Sequence, residues 1–235
     1  MMELYNTFLY QPLFNATIFL YNTLPGSDFG VVIIALTLVI RLVFFPLTVR
    51  TTLSQRALGR INPQMKEIKE KFKNDTQAQS VAIMKLYKDH NVNPLSGCLP
   101  LLIQLPILIA LYQVFGAGFK PENLNLIYSF IKNPEHINTT SLGFLNITLR
   151  SIPLAFITGF FQYIQLNRNQ ALIKDSSGSS PQKEIQILNK QMLYFFPVMI
   201  IIIGWNLPAG LLLYWLTTTL FSIGEQAYIK TRYKD

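Results

Sequence analysis

Long apolar runs separated by polar blocks dominate the chain. Phe29 to Val49 is the first clear run, 21 residues with Arg41 as the only charge. Four more follow: Cys98 to Phe119, Leu142 to Leu166, Met192 to Trp205 and Pro208 to Gly224. The first three have the ~20 residues that a helix needs to cross the hydrocarbon of a bilayer. The last two, 14 and 17 residues long, fall at or below that limit and should thin the bilayer locally. The pattern predicts an all-α membrane protein with five transmembrane helices and no internal repeat.

The polar blocks carry structure too. Residues 50–97 hold Met65, Ile68 and Phe72 at helical spacing, then Val81, Met84 and Tyr87. Between them Asn74-Asp75-Thr76 is a turn and N-cap signal. This predicts a helical hairpin whose two helices bury narrow stripes against each other. Residues 120–141 form a mixed loop, and residues 167–191 a polar loop with a Ser/Gly-rich centre, Asp175 to Pro181. Residues 1–28 are apolar and aromatic, without Lys or Arg, and are broken by Pro12 and Pro25. Neither the basic start nor the small-residue cleavage site of a signal peptide is present. Phe8, Leu9, Phe14, Ile18 and Tyr21 suggest instead an extracytoplasmic amphipathic helix lying in the membrane interface. An additional span is the competing reading, but the prolines leave too few uninterrupted residues. Residues 29–235 then form the core of the protein.

Composition agrees with the pattern. Half of the residues are hydrophobic and only 14% are charged, against roughly 25% in soluble domains. The net charge of +8 could point to nucleic acid, anionic lipid or a ribosome. Its placement decides: residues 50–97, 167–191 and the C-terminal tail hold 16 of the 20 Lys and Arg. The positive-inside rule therefore puts the hairpin and the C-terminus in the cytoplasm and the N-terminus outside, as five spans require. Basic cytoplasmic helices could still touch ribosomal RNA or anionic lipid; no DNA partner is implied. One cysteine, Cys98, allows neither a disulfide framework nor a cysteine-based metal site. His90 and His136 lie far apart in polar stretches. No metal, cofactor or enzymatic activity is expected.

Arg41 is the most informative residue. It is too deep in its span for easy snorkelling, and an arginine at a helix centre costs about 2.5–3.5 kcal/mol on insertion scales. No Asp or Glu lies inside any of the five runs, so the sequence offers no internal ion pair, and a wet cavity lined by neutral polar groups is the expected solution. A guanidinium satisfied by backbone carbonyls is the alternative. Polar residues recur on consistent faces: Thr37 and Thr48 beside Arg41; Gln104 on the second run; Ser151, Thr158, Gln162, Gln165 and Asn169 on the third; Trp215, Thr218, Ser222 and Gln226 toward the end. Together they describe a hydrophilic groove. Taken singly, each Thr or Gln also fits interhelical glue. Trp215 also fits an interfacial belt, and Arg150, near a run's end, fits snorkelling.

Four blocks make the chain resemble the YidC/Oxa insertase family, in its short bacterial form without a large extracytoplasmic domain. They are Arg41 with Phe45-Pro46-Leu47-Thr48; Asn93-Pro94 through Gly97-Cys98-Leu99-Pro100, Gln104, Pro106 and Ala110-Leu111-Tyr112; Phe196-Pro197; and Pro208-Ala209-Gly210 with Leu213-Tyr214-Trp215, Thr218 and Gln226. The resemblance implies that Arg41, Gln165 and Trp215 line a groove open to cytoplasm and lipid but closed toward the outside. It also implies that the hairpin helps recruit substrate, and that the protein is an insertase or chaperone of the bacterial plasma membrane. Nascent membrane proteins would be its substrates, the lipid bilayer its surroundings, and the ribosome and Sec translocon candidate partners. The rival class is a secondary transporter or channel for a small anion with Arg41 as substrate site. Such carriers usually show repeats and often membrane carboxylates, and neither is visible, so no small-molecule substrate is expected.

Overall fold

The computed structural model describes residues 2–26, 28–93, 99–116, 125–134, 137–175 and 183–233. Cys98, His136, the block Pro94 to Gly97 and the centre of the Ser/Gly-rich stretch lie outside them. The described chain is all-α apart from one two-residue strand pair. A short helix α1 (Met2–Tyr5) and a π-helical turn (Asn6–Tyr10) lead into α2 (Gln11–Thr23). Then come α3 (Phe29–Arg60), α4 (Asn62–Lys71), α5 (Thr76–Asp89), α6 (Leu99–Gly116), the strands β1 (Thr140–Ser141) and β2 (Leu145–Asn146), α7 (Ile152–Asp175), α8 (Lys183–Gly204) and α9 (Ala209–Arg232).

Helix bounds differ from the apolar runs because a helix needs satisfied backbone, not continuous hydrophobicity. Asp28 caps α3, accepting from the N–H groups of Gly30 at 2.8 Å and Val31 at 3.2 Å, and the helix then runs 32 residues, through Pro46 and well past Val49. The expected polar loop 167–191 is helical over much of its length, since α7 runs to Asp175 and α8 begins at Lys183. The third run starts later than its hydropathy suggests. Leu142 and Gly143 both adopt positive φ, 52° and 78°, and form the turn of an antiparallel hairpin in which Thr140 faces Asn146. Helix α7 begins only at Ile152, with Pro153 in its first turn, where a missing N–H costs nothing. Among the described residues one helix, α3, is by itself long and apolar enough to cross a membrane, while α6 and α8 contain shorter apolar stretches, Leu102–Phe115 and Leu193–Gly204.

The contacts fix the helix directions. Along α3 and α9 residue i faces residue i+177: Arg41 meets Thr218, Thr48 meets Glu225 and Arg56 meets Tyr233. These two helices are therefore parallel. Helix α7 runs the same way, its Ala155 beside Leu212 and its Gln162 beside Trp215 and Thr219. Helix α8 is antiparallel to α7, with Ala155 near Gly204, Gly159 near Ile201 and Tyr163 near Tyr194. Helix α6 opposes α3 and α9, since Phe115 packs edge-on against Phe29 while Gln104 reaches Tyr214.

An apolar core joins α2, α6 and the first third of α3. Phe14, Ile18, Tyr21, Phe29, Val32, Ile33, Leu111 and Val114 are all buried in it. The N-terminal stripe expected to face lipid therefore faces protein at Phe14, Ile18 and Tyr21, and only Phe8 of that set is fully exposed. Polar residues on the same helix explain why: Asn15 donates to the Leu126 carbonyl at 2.9 Å and accepts from the Tyr128 N–H at 2.7 Å. The Tyr21 hydroxyl accepts from the Asn138 N–H at 2.8 Å. The same end is sealed by the N-terminus of α9, whose Ala209 and Gly210 N–H groups donate to the carbonyls of Leu149 and Ile147 at 2.7 and 2.8 Å. Two of the four donors left over at a helix start are thus satisfied by neighbouring chain.

The α4–α5 hairpin is present, capped by Asp75, which accepts from the N–H groups of Gln77 and Ala78. Neither helix has a fully buried residue. Tyr87 donates to Met65 Sδ at 3.2 Å, but Val81 and Met84 point outward. The inner stripe of α5 instead runs through Ala82, Ile83, Leu86 and Tyr87, which are half-buried. Val81 to Met84 is apolar all round, so spacing alone could not fix its phase.

Candidate functional site

A cavity of about 710 Å³ lies between α3, α6, α7, α8 and α9. On α3 it is bordered from Ile40 to Gln55, and on α9 from Leu211 to Gln226. Arg41, Gln104, Gln162, Gln165, Trp215, Thr218 and Ser222 all border it. Thr37 does not: it is fully buried and donates to the Ile33 carbonyl one turn back at 2.6 Å. Its place four residues before Arg41 gave it the right face, but the cavity starts only beyond the packed first third of α3. Arg150, read as a snorkelling residue, is exposed at the sealed end.

Arg41 is held by the facing helix. One terminal nitrogen, Nη2, donates to the Thr218 carbonyl at 2.9 Å and also to the Ser222 hydroxyl. Ser222 in turn donates to the same carbonyl at 3.0 Å. The guanidinium carbon stands 5.7 Å from the centre of the Phe221 ring, near enough for a cation–π attraction. Buried Nε has no hydrogen-bond partner in the protein. The two readings of this residue are therefore combined: a backbone carbonyl satisfies part of the guanidinium, and the same side chain borders a polar space.

A second network occupies the wall made by α7 and α9. Gln162 Oε1 accepts from Trp215 Nε1 and from the Thr219 hydroxyl, both at 3.2 Å, while its Nε2 donates to Gln165 Oε1 at 2.7 Å. Across the cavity Gln104 donates to the Tyr214 hydroxyl at 2.5 Å. Interhelical glue and cavity lining are thus done by the same side chains.

One residue departs from the expected lining of neutral polar groups. Glu225 borders the cavity, is buried, and accepts from the Thr48 hydroxyl. It lies one residue beyond the apolar run that ends at Gly224, so a search confined to apolar runs passes over it. Helix α9 continues to Arg232 and carries the carboxylate onto the Ser222 face by i, i+3 spacing. Among the described residues bordering the cavity, Arg41 and Glu225 are the only charged ones. No group of three or more His, Cys, Asp or Glu suited to a metal occurs among the described residues.

The polar side chains share the cavity lining with apolar ones, among them Ile40, Phe44, Ile103, Leu108, Phe196 and Met199, whereas the outer surface of the helices is apolar. Leu42 and Val43 of α3 are 62% and 67% exposed, and Phe156, Phe160, Phe195, Val198 and Ile202 likewise face outward. Soluble monomers rarely expose contiguous apolar patches on this scale. Apolar side chains outside and amides, hydroxyls and charges inside define a helical membrane protein. Residues 19–235 match the family model described as 60Kd inner membrane protein. A membrane protein insertase YidC from Fusobacterium nucleatum is 32% identical over 225 residues, covering 95% of this chain and 97% of that protein. Proteins of the same name from Pelobacter propionicus and Streptomyces avermitilis are 30% and 33% identical, but the chain spans only 40% and 54% of their lengths. The chain belongs to the YidC/Oxa family of membrane proteins.

Proposed function

We propose that this protein is a membrane protein insertase: it receives hydrophilic segments of nascent membrane proteins in the polar cavity and releases their apolar helices into the bilayer. The observation that carries the reading is Arg41 facing a cavity walled by Gln104, Gln162, Gln165, Trp215, Thr218 and Ser222. A relative of matching length bears the name membrane protein insertase, which supports it. A polar segment crossing bare hydrocarbon must shed its water, at a cost of several kcal/mol per unsatisfied group. A polar pocket partway across shortens the dehydrated path. A carboxylate about 4 Å from Arg41 gains roughly 4 kcal/mol at an effective dielectric of 20. The substrate's apolar helix then moves sideways into lipid by hydrophobic transfer. No chemical step, nucleotide or cofactor is needed.

In this reading α3, α6, α7, α8 and α9 are the five membrane-crossing helices. Their directions support it, because α3, α7 and α9 run one way and α6 and α8 the other, as consecutive crossings must. The cation distribution supports a hairpin α4–α5 and C-terminus in the cytoplasm of a bacterium, with α2 and residues 125–134 outside. The basic hairpin is then the surface available to a ribosome or Sec translocon.

The test is insertion of a single-span substrate with an acidic translocated segment into proteoliposomes holding Arg41→Ala or Arg41→Lys. Arg41→Ala should lower insertion at least tenfold, and Arg41→Lys should retain most of it. Full insertion with Arg41→Ala would refute the role of the charge.

A further inference from the structure

Resting on the insertase reading, we propose that Glu225 is a resident counter-charge that sets which charges on a translocated segment the cavity accepts. Among the described residues, the wall carries one cation and one anion, so its formal charge is balanced rather than positive. Neither is the other's hydrogen-bond partner, although each feels the other's charge. Arg41 is held by Ser222 and the Thr218 carbonyl, while Glu225 is held by Thr48. Arg41 reaches Ser222, and Glu225 lies three residues beyond Ser222 on α9, about 4.5 Å along the axis, toward the end at which the parallel α3 leads into the basic hairpin. The pair is therefore a dipole laid along the wall, with its negative pole nearer the cytoplasmic end.

The consequence is selectivity. A segment entering from the cytoplasm passes the carboxylate before the guanidinium. Acidic segments meet repulsion first and attraction deeper in; basic segments meet the reverse. Hydrogen bonds to separate hydroxyls hold the charges short of a hydrogen-bonded ion pair, so each, though it feels the other, still acts on a third. Removing the carboxylate converts the dipole into a lone positive charge. At the separations of a partly wet cavity, one such charge term changes binding about fivefold.

The experiment compares single-span substrates whose translocated segments carry two Asp, two Asn or two Lys, scored by protease protection in proteoliposomes. Glu225→Gln should raise the acidic-to-basic insertion ratio about fivefold over the unmutated protein, and Glu225→Asp should keep the ratio within twofold. An unchanged ratio in Glu225→Gln would overturn the inference. Thr48→Val gives a second reading should Glu225→Gln not accumulate. It frees the carboxylate to approach Arg41 and should lower the ratio; a rise or no change counts against the proposal. If the unmutated protein fails to insert even the Asn-bearing substrate, the insertase reading falls first. If it inserts that substrate and no variant changes charge preference, Glu225 alone loses its role.

Discussion

Trp215 on α9 donates its indole N–H to Gln162 on α7 at 3.2 Å. The same amide oxygen takes the Thr219 hydroxyl, and the amide nitrogen is spent on Gln165. One side chain thus ties two parallel helices together at two points on the cavity wall and braces its own helix at a third. Replacing Gln162 by Leu leaves the indole donor without its acceptor, a loss of about 1–3 kcal/mol, while the Thr219 hydroxyl keeps the Trp215 carbonyl at 2.9 Å. In a Trp205→Phe background, Gln162→Leu should lower the melting temperature in detergent and shift Trp215 fluorescence. An unchanged spectrum would show that the indole does not depend on this amide.

Asp28 links the start of α3 to the β1–β2 hairpin, accepting from the Leu142 N–H at 2.7 Å as well as from Gly30 and Val31. Burial raises its pKa, but these donors, with the Ser141 hydroxyl, outweigh burial and hold the carboxyl below its ordinary 3.8. A depressed folded pKa contributes stability that is present above the unfolded value and is lost as pH falls through the folded one. Thermal stability should therefore decline from about pH 5 downward. Asp28→Asn should flatten that part of the profile, as read by melting at pH 7, 5 and 3.5.

Gly159 marks a close approach of α7 and α8. A Cβ there would sit 2.5 Å from Ile201 Cγ1 and 3.1 Å from the Pro197 carbonyl oxygen. Gly159→Ala should cost roughly 1–3 kcal/mol through overpacking. Adding Ile201→Ala removes the nearer obstacle, so the double variant should be more stable than the two single effects predict. Simple additivity in denaturant titration would argue against the contact.

Asn15 is buried with both ends of its amide engaged by the backbone of Leu126 and Tyr128. Asn15→Leu keeps the volume and strips both bonds. Hydrogen exchange at Tyr128 should accelerate at least tenfold, with little change at the α4–α5 hairpin.

Where hydropathy and backbone geometry agree, the elements were legible. Arg41 in an apolar run forces a polar neighbourhood, and amides spaced at helical intervals on later runs supply it. Asp75 reads as a cap from its neighbours alone. Where they disagree, the reading fails. Leu142 opens an apolar run but sits in a turn, because the N–H and C=O groups of residues 140–146 pair across a hairpin. Glu225 follows an apolar run yet belongs to the same helix. Hydropathy reports which residues tolerate lipid, and a helix ends where its hydrogen bonds end.

The sequence by itself determined an all-α membrane protein, its apolar runs, the deep arginine and the polar partners with which it must share a face. These follow from local chemistry: burial cost, side-chain period and charge count. Tertiary structure alone decided the fixed offset of 177 residues between α3 and α9. That register sends Thr37 into the packed core, brings Thr48 against Glu225, and divides the cavity wall between two opposite charges. Register depends on which ridges of one helix fit the grooves of another. It is a property of the pair that neither helix carries alone.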